Sequence, residues 1–407
     1  MTSSFPSRRQ VLGSGVALAA LASPFVRAQA AAPIRIGFPV PLTGPYQEEA
    51  LDMLRGAHVA ISLFNEQGGL HGQTAELLTR DDELSPDKAI EVTNDLIANG
   101  HVNFVTGGLS ASVQLAINQV TKAAKLVFNS VSQSDAIVAE PDGSPYTFHE
   151  ALTPHMTTQA VGRYVFSQYG KRVAFLVADY AFGNEMVRGF EAVGKAHGID
   201  VVATARHPLG TNDFRPYLEQ IQAAKPNVLV LCNFGFDQRN AIQQAEWMEL
   251  KRAMKLVAPV LDFTERLAIG SQPYEGVIGG TSYYWRLEDT IASARTFNNR
   301  FRAMNDGRVP SDYGALGFAG VMTVLTAAKH AGSVESDKLV EALRGMKYDL
   351  YKGAEYYRAC DNQAVQSVLI VDSRFTADPN DLDVFRIAHI DPPSEALLQS
   401  CAAEGHR

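Results

Sequence analysis

The chain is poor in cysteine and tryptophan, with three of the former and two of the latter among 407 residues. Three cysteines cannot build the disulfide framework of a small secreted domain or a four-cysteine zinc site. An excess of positive charge is also missing, because 36 lysines and arginines face 44 acidic residues, which gives a formal net charge of −8. Nucleic-acid binding needs clustered basic side chains, so the composition argues against it.

Motifs of common enzyme classes are absent as well. The sequence contains neither a G-x-x-x-x-G-K-[ST] phosphate loop nor an H-E-x-x-H zinc helix. Residues 108–112 lack the last glycine of the G-x-S-x-G nucleophile elbow. The acidic run 81–83 is typical of a solvated turn, and the adjacent Glu48 and Glu49 point apart on any regular element. We therefore predict no catalytic group, no metal and no cofactor.

What is present is the composition of a folded protein, with 46% hydrophobic and 20% charged residues. At roughly 100–200 residues per domain, the length predicts two or three domains.

The first thirty residues have the pattern of a secretory signal. Arg8 and Arg9, which resemble a twin-arginine signal, precede an uncharged run over 11–25, and residues 27–30 form a small-x-small cleavage pattern. The run of about 15 residues is shorter than the roughly 20 needed to cross a bilayer, which favours cleavage near Ala30 over an uncleaved anchor. We expect a soluble mature protein in a bacterial periplasm.

Export makes a disulfide possible. Cys401 lies in a polar tail and Cys360 follows an aromatic, strand-like run, whereas Cys232 ends an apolar run. We predict a Cys360–Cys401 bond, which would hold a tail that otherwise frays, and a buried Cys232. Three free thiols are the alternative.

Short β-rich runs alternate with amphipathic stretches along most of the chain. The run 34–38 is followed by helical spacing over 51–65, and the series restarts after residue 150 with the apolar run 172–177. Near-continuous apolar strands between helices predict parallel sheets that are covered on both faces. Because the section after 285 is mostly helical, we predict an α/β fold of two doubly wound lobes between which the chain crosses more than once.

Polar loops follow four of these strands. Ligands of open α/β sheets bind beyond the carboxyl ends of the strands. In the second loop, glycines allow close backbone approach, and the amides of a helix start together with Ser110 and Ser112 can hold a carboxylate. The four loops are 43–49, 106–112, 130–134 and 179–183.

Nine segments together carry a family resemblance in their order and spacing. They are Ile34–Gly37, Pro41–Pro45, Asp52–Ala57, Asn65–Gly72, Asp81–Asp82, Ser85–Ala89, Gly107–Ser112, Tyr180–Gly183 and Cys360–Gln363. With them the mature chain resembles the type I periplasmic solute-binding proteins, the Leu/Ile/Val-binding receptors of ABC importers.

The resemblance implies two Rossmann-like lobes joined by a three-segment hinge, with the ligand in the cleft between them and closure by hinge motion. Lobe 1 would comprise 31–151 and 284–358. Lobe 2 would comprise 152–283 and 359–407.

Site residues also follow from the resemblance. Receptors of this family hold the ligand carboxylate at the loop that Ser110, Ala111 and Ser112 match, and the next loop completes the clamp with Val131 and Gln133. The remaining matches are Tyr180, Phe182, Phe234 and Phe236 in the second lobe and Glu49 at the side wall.

One position departs from the family. Where amino-acid receptors carry an acid that binds the ligand ammonium, this chain has Val260. Asp262 or Glu49 can supply the charge instead. If neither does, the ligand lacks an amine, and the phenylalanines suit an aromatic or branched carboxylic acid.

The resemblance thus implies a monomeric binding protein and no enzyme. It would capture a small carboxylate-bearing nutrient, an amino acid or an organic acid, and deliver it to an inner-membrane ABC permease. The alternative is a ligand sensor for a signalling partner, since one fold serves both roles.

Overall fold

The computed structural model describes residues 32–406, so the predicted signal and its cleavage site lie outside the described residues. The first section of the fold contains a sheet whose five strands are all parallel, in the order β2-β1-β3-β4-β5. Its interior is apolar, with Ile36 and Phe38 of β1 fully buried. The elements are β1 (Ile34–Val40), α1 (Gln47–Glu66), β2 (Ala75–Asp81), α2 (Pro86–Ala98), β3 (Phe104–Gly107), α3 (Ala111–Ala124), β4 (Phe128–Ser130), β5 (Thr147–His149) and α4 (Pro154–Gln168).

A second strand series follows, and all of its strands are parallel too. Its central strand runs from Val228 to Cys232 and is buried at every position, which explains the near-continuous apolar sequence. The elements are β6 (Arg172–Ala178), α5 (Ala181–His197), β7 (Asp200–His207), α6 (Arg215–Ala223), β8 (Val228–Cys232), α7 (Gly235–Trp247), β9 (Lys255–Val260), α8 (Phe263–Ile269), α9 (Ser271–Tyr274) and β10 (Ile278–Thr281).

The last section of the chain, from α10 onward, contributes elements to both halves of the fold. Strands β14 and β15 extend the second sheet antiparallel to their neighbours, giving the order β15-β14-β10-β9-β8-β6-β7. Helix α11 returns to α1, where Gly317 lies so close to the backbone of Met53 that a β-carbon would collide with it. The elements are α10 (Ala292–Met304), α11 (Asp312–Ala331), α12 (Ser336–Leu343), β11 (Lys347–Tyr348), β12 (Glu355–Tyr357), β13 (Ala364–Val365), β14 (Val368–Ser373) and β15 (Phe385–Asp391).

The predicted α/β class with two doubly wound sheets is confirmed. The residue boundaries of the two lobes stay a prediction. None of the helices in the described range is long and apolar enough to cross a lipid bilayer.

The C-terminal tail is tied back to the fold. The sulfurs of Cys360 and Cys401 are bonded, with 6.2 Å between their α-carbons, and Cys232 is a buried free thiol. The amide of Glu140 donates to the carbonyl oxygen of Glu404 at 2.8 Å, so the tail lies against the loop that precedes β5.

Candidate functional site

A cavity of about 30 Å³ lies where loops from the carboxyl ends of both sheets meet. Seven of the residues singled out in the sequence line it, together with ten others. The predicted ones are Ser110, Ala111, Val131, Gln133, Tyr180, Phe182 and Phe234. The others are Tyr46, Leu109, Ser132, Ala151, Leu152, Val260, Ser282, Asp312, Tyr313 and Leu316.

The turn from β3 into α3 brings backbone amides to the cavity wall. Gly107 has φ +123°, and a β-carbon there would lie 2.5 Å from the carbonyl oxygen of Pro39, so the close approach requires glycine. Ser110 is the N-cap of α3, and its hydroxyl accepts a hydrogen bond from the amide of Val113 at 3.2 Å. The free amides and the positive end of the helix dipole favour an anion at this point.

Ser112 lies on the exposed side of the same turn and does not line the cavity. Its hydroxyl oxygen is 3.2 Å from that of Ser110, so it can influence the site through this contact.

The loop after β4 forms the adjoining wall and is fixed by a buried histidine. His149 Nε2 lies 2.6 Å from the carbonyl oxygen of Ser132, and its Nδ1 lies 2.6 Å from Gln363 Oε1. Burial lowers the pKa of His149, whereas the contacts with Ser132 and Gln363 oppose that shift. Val131 and Gln133 are thereby held in the lining.

Aromatic rings close the opposite side. The ring centroids of Tyr46 and Phe234 are 5.1 Å apart, and those of Phe234 and Tyr313 are 5.7 Å apart. Tyr180 and Phe182 stack at 6.0 Å. Such offset and edge-on pairs are favourable, and together they form a rigid apolar surface.

Phe236 lies outside this surface. Its ring is half-buried and lies beneath the guanidinium of Arg239, whose Cζ is 5.0 Å from the ring centroid.

An acidic side chain that the sequence did not predict also lies at the cavity. Asp312 lines the cavity, is buried, and its Oδ1 has no hydrogen-bond partner among the described residues. Burial raises the pKa of Asp312 well above its usual range, and the negative charge of Asp262 adds to this.

The two acids considered in the sequence are buried but lie outside the lining. Glu49 Oε1 and Asp262 Oδ1 both contact the hydroxyl of Thr264. Val260, at the position where the family carries an acid, does line the cavity.

Signals for the missed residues differ. Tyr46, Leu109 and Ser132 lie inside the polar loops 43–49, 106–112 and 130–134, which the sequence predicts to bind the ligand. Ser282 follows β10, which the sequence did not reveal as a strand, and Asp312 begins a helix that follows no strand. No spacing in the sequence points to those two residues.

The model of the periplasmic binding protein family matches residues 33–378. The chain belongs to this family. A Leu/Ile/Val-binding protein of Rhizobium johnstonii is 25% identical over 320 residues, which cover 76% of this chain and 82% of that protein.

Solved structures with this fold include two informative ones. A periplasmic binding protein from Burkholderia mallei superposes with a TM-score of 0.83 at 28% identity, covering 90% of this chain and 96% of that chain. A solute-binding protein of an ABC transporter from Rhodopseudomonas palustris, solved with 3,4-dihydroxybenzoic acid, has a TM-score of 0.79 at 23% identity, covering 88% and 97%.

The resemblance to type I solute-binding proteins of the Leu/Ile/Val-binding family is therefore confirmed. All three of these proteins are named as binding proteins, and the one from Rhodopseudomonas palustris is named as the solute-binding protein of an ABC transporter. Within the described residues, no group of three or more histidine, cysteine or acidic side chains is arranged to hold a metal ion.

Proposed function

We propose that this binding protein is the periplasmic receptor of an ABC importer and that its ligand carries both a carboxylate and an amine. The observation that carries the proposal is the pairing of two unlike ends in one cavity. The start of α3 offers amides to an anion, whereas Asp312 offers a buried carboxylate oxygen that has no hydrogen-bond partner within residues 32–406.

The carboxylate end rests on charge-assisted hydrogen bonds. A ligand carboxylate beside Ser110 would accept from its hydroxyl and from the amides that open α3. Hydrogen bonds to a charged group contribute roughly 1.5–3 kcal/mol each, so two or three of them would dominate the affinity.

The amine end rests on Asp312. A buried carboxylate is costly unless a cation accompanies it. An ammonium donating to Oδ1 would offset that cost and return the pKa of Asp312 toward its usual range. The aromatic wall would then contact an apolar side chain of the ligand, in keeping with the Leu/Ile/Val-binding protein among its relatives.

A second candidate is an aromatic or branched carboxylic acid without an amine. The raised pKa of Asp312 supports it, because a protonated carboxyl does not repel such a ligand and can donate a hydrogen bond to a hydroxyl or carbonyl group. Stacked rings at Tyr180 and Phe182 would suit an aromatic ligand.

We further propose that the protein acts as a monomer in the periplasm and hands its ligand to a membrane permease. A signalling partner in place of the permease is the alternative.

The test is a thermal-shift and calorimetric screen of residues 31–407 with amino acids, their deaminated analogues, and benzoates. A ligand at 100 times its dissociation constant stabilises the protein by about 2.7 kcal/mol. We expect hits among amino acids that vanish for the deaminated analogues. Hits among acids without an amine would select the second candidate, and no hit in either class would contradict the proposed function.

Asp312→Asn provides the residue-level test. It should weaken an amino-acid ligand at least tenfold while leaving an amine-free acid bound. Asp87→Asn is the matched control. Both acids lie in the first turn of a helix, α2 for Asp87 and α11 for Asp312, but Asp87 is exposed and does not line the cavity.

A further inference from the structure

Two buried carboxyl groups from distant parts of the chain meet at one hydroxyl. Thr264 Oγ1 lies 3.1 Å from Glu49 Oε1 and 2.7 Å from Asp262 Oδ1. Glu49 is on α1, which packs beside the first sheet, whereas Asp262 and Thr264 follow β9 of the second sheet. The contact therefore joins a helix beside the first sheet to a segment that follows a strand of the second sheet.

One hydroxyl cannot serve both carboxylates. It has a single proton and donates to one acceptor. Asp262 is the nearer acceptor, and it also takes the amides of Thr264 at 2.7 Å and Glu265 at 3.3 Å as the N-cap of α8. The contact with Glu49 is a hydrogen bond only when Glu49 is protonated and donates to Thr264 Oγ1.

The surroundings favour that proton. Glu49 is 1% exposed and Asp262 is 0% exposed. Glu49 Oε2 and Asp262 Oδ2 have no hydrogen-bond partner in the described part of the chain. Burial, and then the charge of Asp262, raise the pKa of Glu49 well above its usual range. Burial also raises the pKa of Asp262, but the bonds from Thr264 oppose that shift.

The titratable and charged groups around this pair come from every neighbouring element. They are Tyr46, Arg239, Glu265, Tyr274, Asp312 and Tyr313. Arg239 Nη1 lies 2.9 Å from Glu265 Oε2, so its charge is already paired. The net charge of these neighbouring groups is negative, which again favours a proton on the pair.

We propose that a proton on Glu49, donated to the hydroxyl of Thr264 beside Asp262, joins α1 to α8 and holds the cleft closed, so that ligand capture weakens as the pH rises. The consequence for capture rests on the proposed function, whereas the proton on Glu49 does not depend on the ligand.

The direction of the pH dependence follows from the number of protons that the closed and open forms bind. When the cleft opens, water reaches both groups and the pKa of Glu49 returns toward its ordinary value. The closed form then binds one proton more than the open form between that ordinary pKa and the raised pKa. Below this pH range the proton fully supports the closed form. As the pH rises through the range, the equilibrium constant for closure falls by at most about tenfold per pH unit. An ammonium beside Asp312 acts in the opposite direction, because it favours the ionised carboxylate.

Glu49→Gln separates the effect of the proton on Glu49 from the effect of a ligand ammonium beside Asp312. A glutamine amide donates to Thr264 or Asp262 at every pH, so it replaces the protonated glutamate permanently. We expect the affinity of the wild-type protein for its best ligand from the screen to fall between pH 6 and pH 9 relative to that of Glu49→Gln. Glu48→Gln is the matched control, because Glu48 is the exposed neighbour on the same helix and should retain the wild-type profile. Parallel profiles for wild type and Glu49→Gln would overturn the proposal.

A ligand-free readout keeps this result apart from the proposed function. Urea unfolding of the ligand-free wild type should show a free energy that falls relative to that of Glu49→Gln from pH 6 to pH 9. If no ligand in the screen binds but the free energies of unfolding diverge in this way, the proposed function is wrong and the proposed proton on Glu49 is supported.

Discussion

The ring of Tyr46 lies directly against the backbone of Gly235, where a β-carbon would be 2.7 Å from Tyr46 Cε1. Tyr46 precedes α1 beside the first sheet, and Gly235 begins α7 after β8 of the second. Because Tyr46 also lines the cavity, this contact joins the two sides of the site. The absence of a side chain at Gly235 is what allows the two sides to approach so closely.

Gly235→Ala should therefore weaken ligand binding without touching the ligand. A β-carbon forces Tyr46 to move, and overpacking of this kind costs about 1–3 kcal/mol, or roughly five- to 150-fold in the dissociation constant. Calorimetry with the best ligand of the screen measures the change.

Gly198→Ala controls for backbone strain. Gly198 has φ +66°, close to the +54° of Gly235, but a β-carbon there meets nothing within 4 Å. It should lower stability slightly and leave the affinity unchanged. Equal affinities for both alanine variants would mean that the Tyr46 contact does not govern closure.

Ser110→Ala should lower both stability and affinity. Loss of an N-cap costs about 1 kcal/mol of stability. If the hydroxyl also donates to the ligand carboxylate, the dissociation constant rises at least about tenfold, because a charge-assisted hydrogen bond contributes roughly 1.5–3 kcal/mol.

Ser85→Ala distinguishes the loss of stability from the loss of ligand affinity. Ser85 caps α2 and accepts the amide of Lys88, but it does not line the cavity. Its alanine variant should match Ser110→Ala in stability, by urea unfolding, while binding like wild type. Unchanged affinity in Ser110→Ala would move the carboxylate site away from α3.

The loops around Ser110 and Val131 are predictable from the sequence because the carboxyl ends of adjacent parallel strands meet at one edge of a sheet. That relationship is local to each strand–helix unit, so alternation in the sequence predicts it. The same periodicity placed a helix over 51–65, whereas α1 begins at Gln47 and includes Glu49.

What the sequence could not predict depends on contacts between distant segments. Asp312 enters the cavity only because α11 returns to pack on α1. Glu49 becomes buried because it meets Thr264, which lies 215 residues further along the chain. Neither position has a periodic or motif signal, since burial there is decided by tertiary packing and not by neighbours in sequence.

The Cys360–Cys401 bond should stabilise the mature protein by holding the tail against the loop before β5. It closes a span of 41 residues, for which loop entropy gives about 4 kcal/mol. The double variant Cys360→Ser with Cys401→Ser should lose that amount in urea unfolding. Thiol titration of the denatured, unreduced wild type should find one thiol, and Cys232→Ala, which alters only the buried free cysteine, should find none. Three thiols in the wild type would mean that the tail is held without the disulfide.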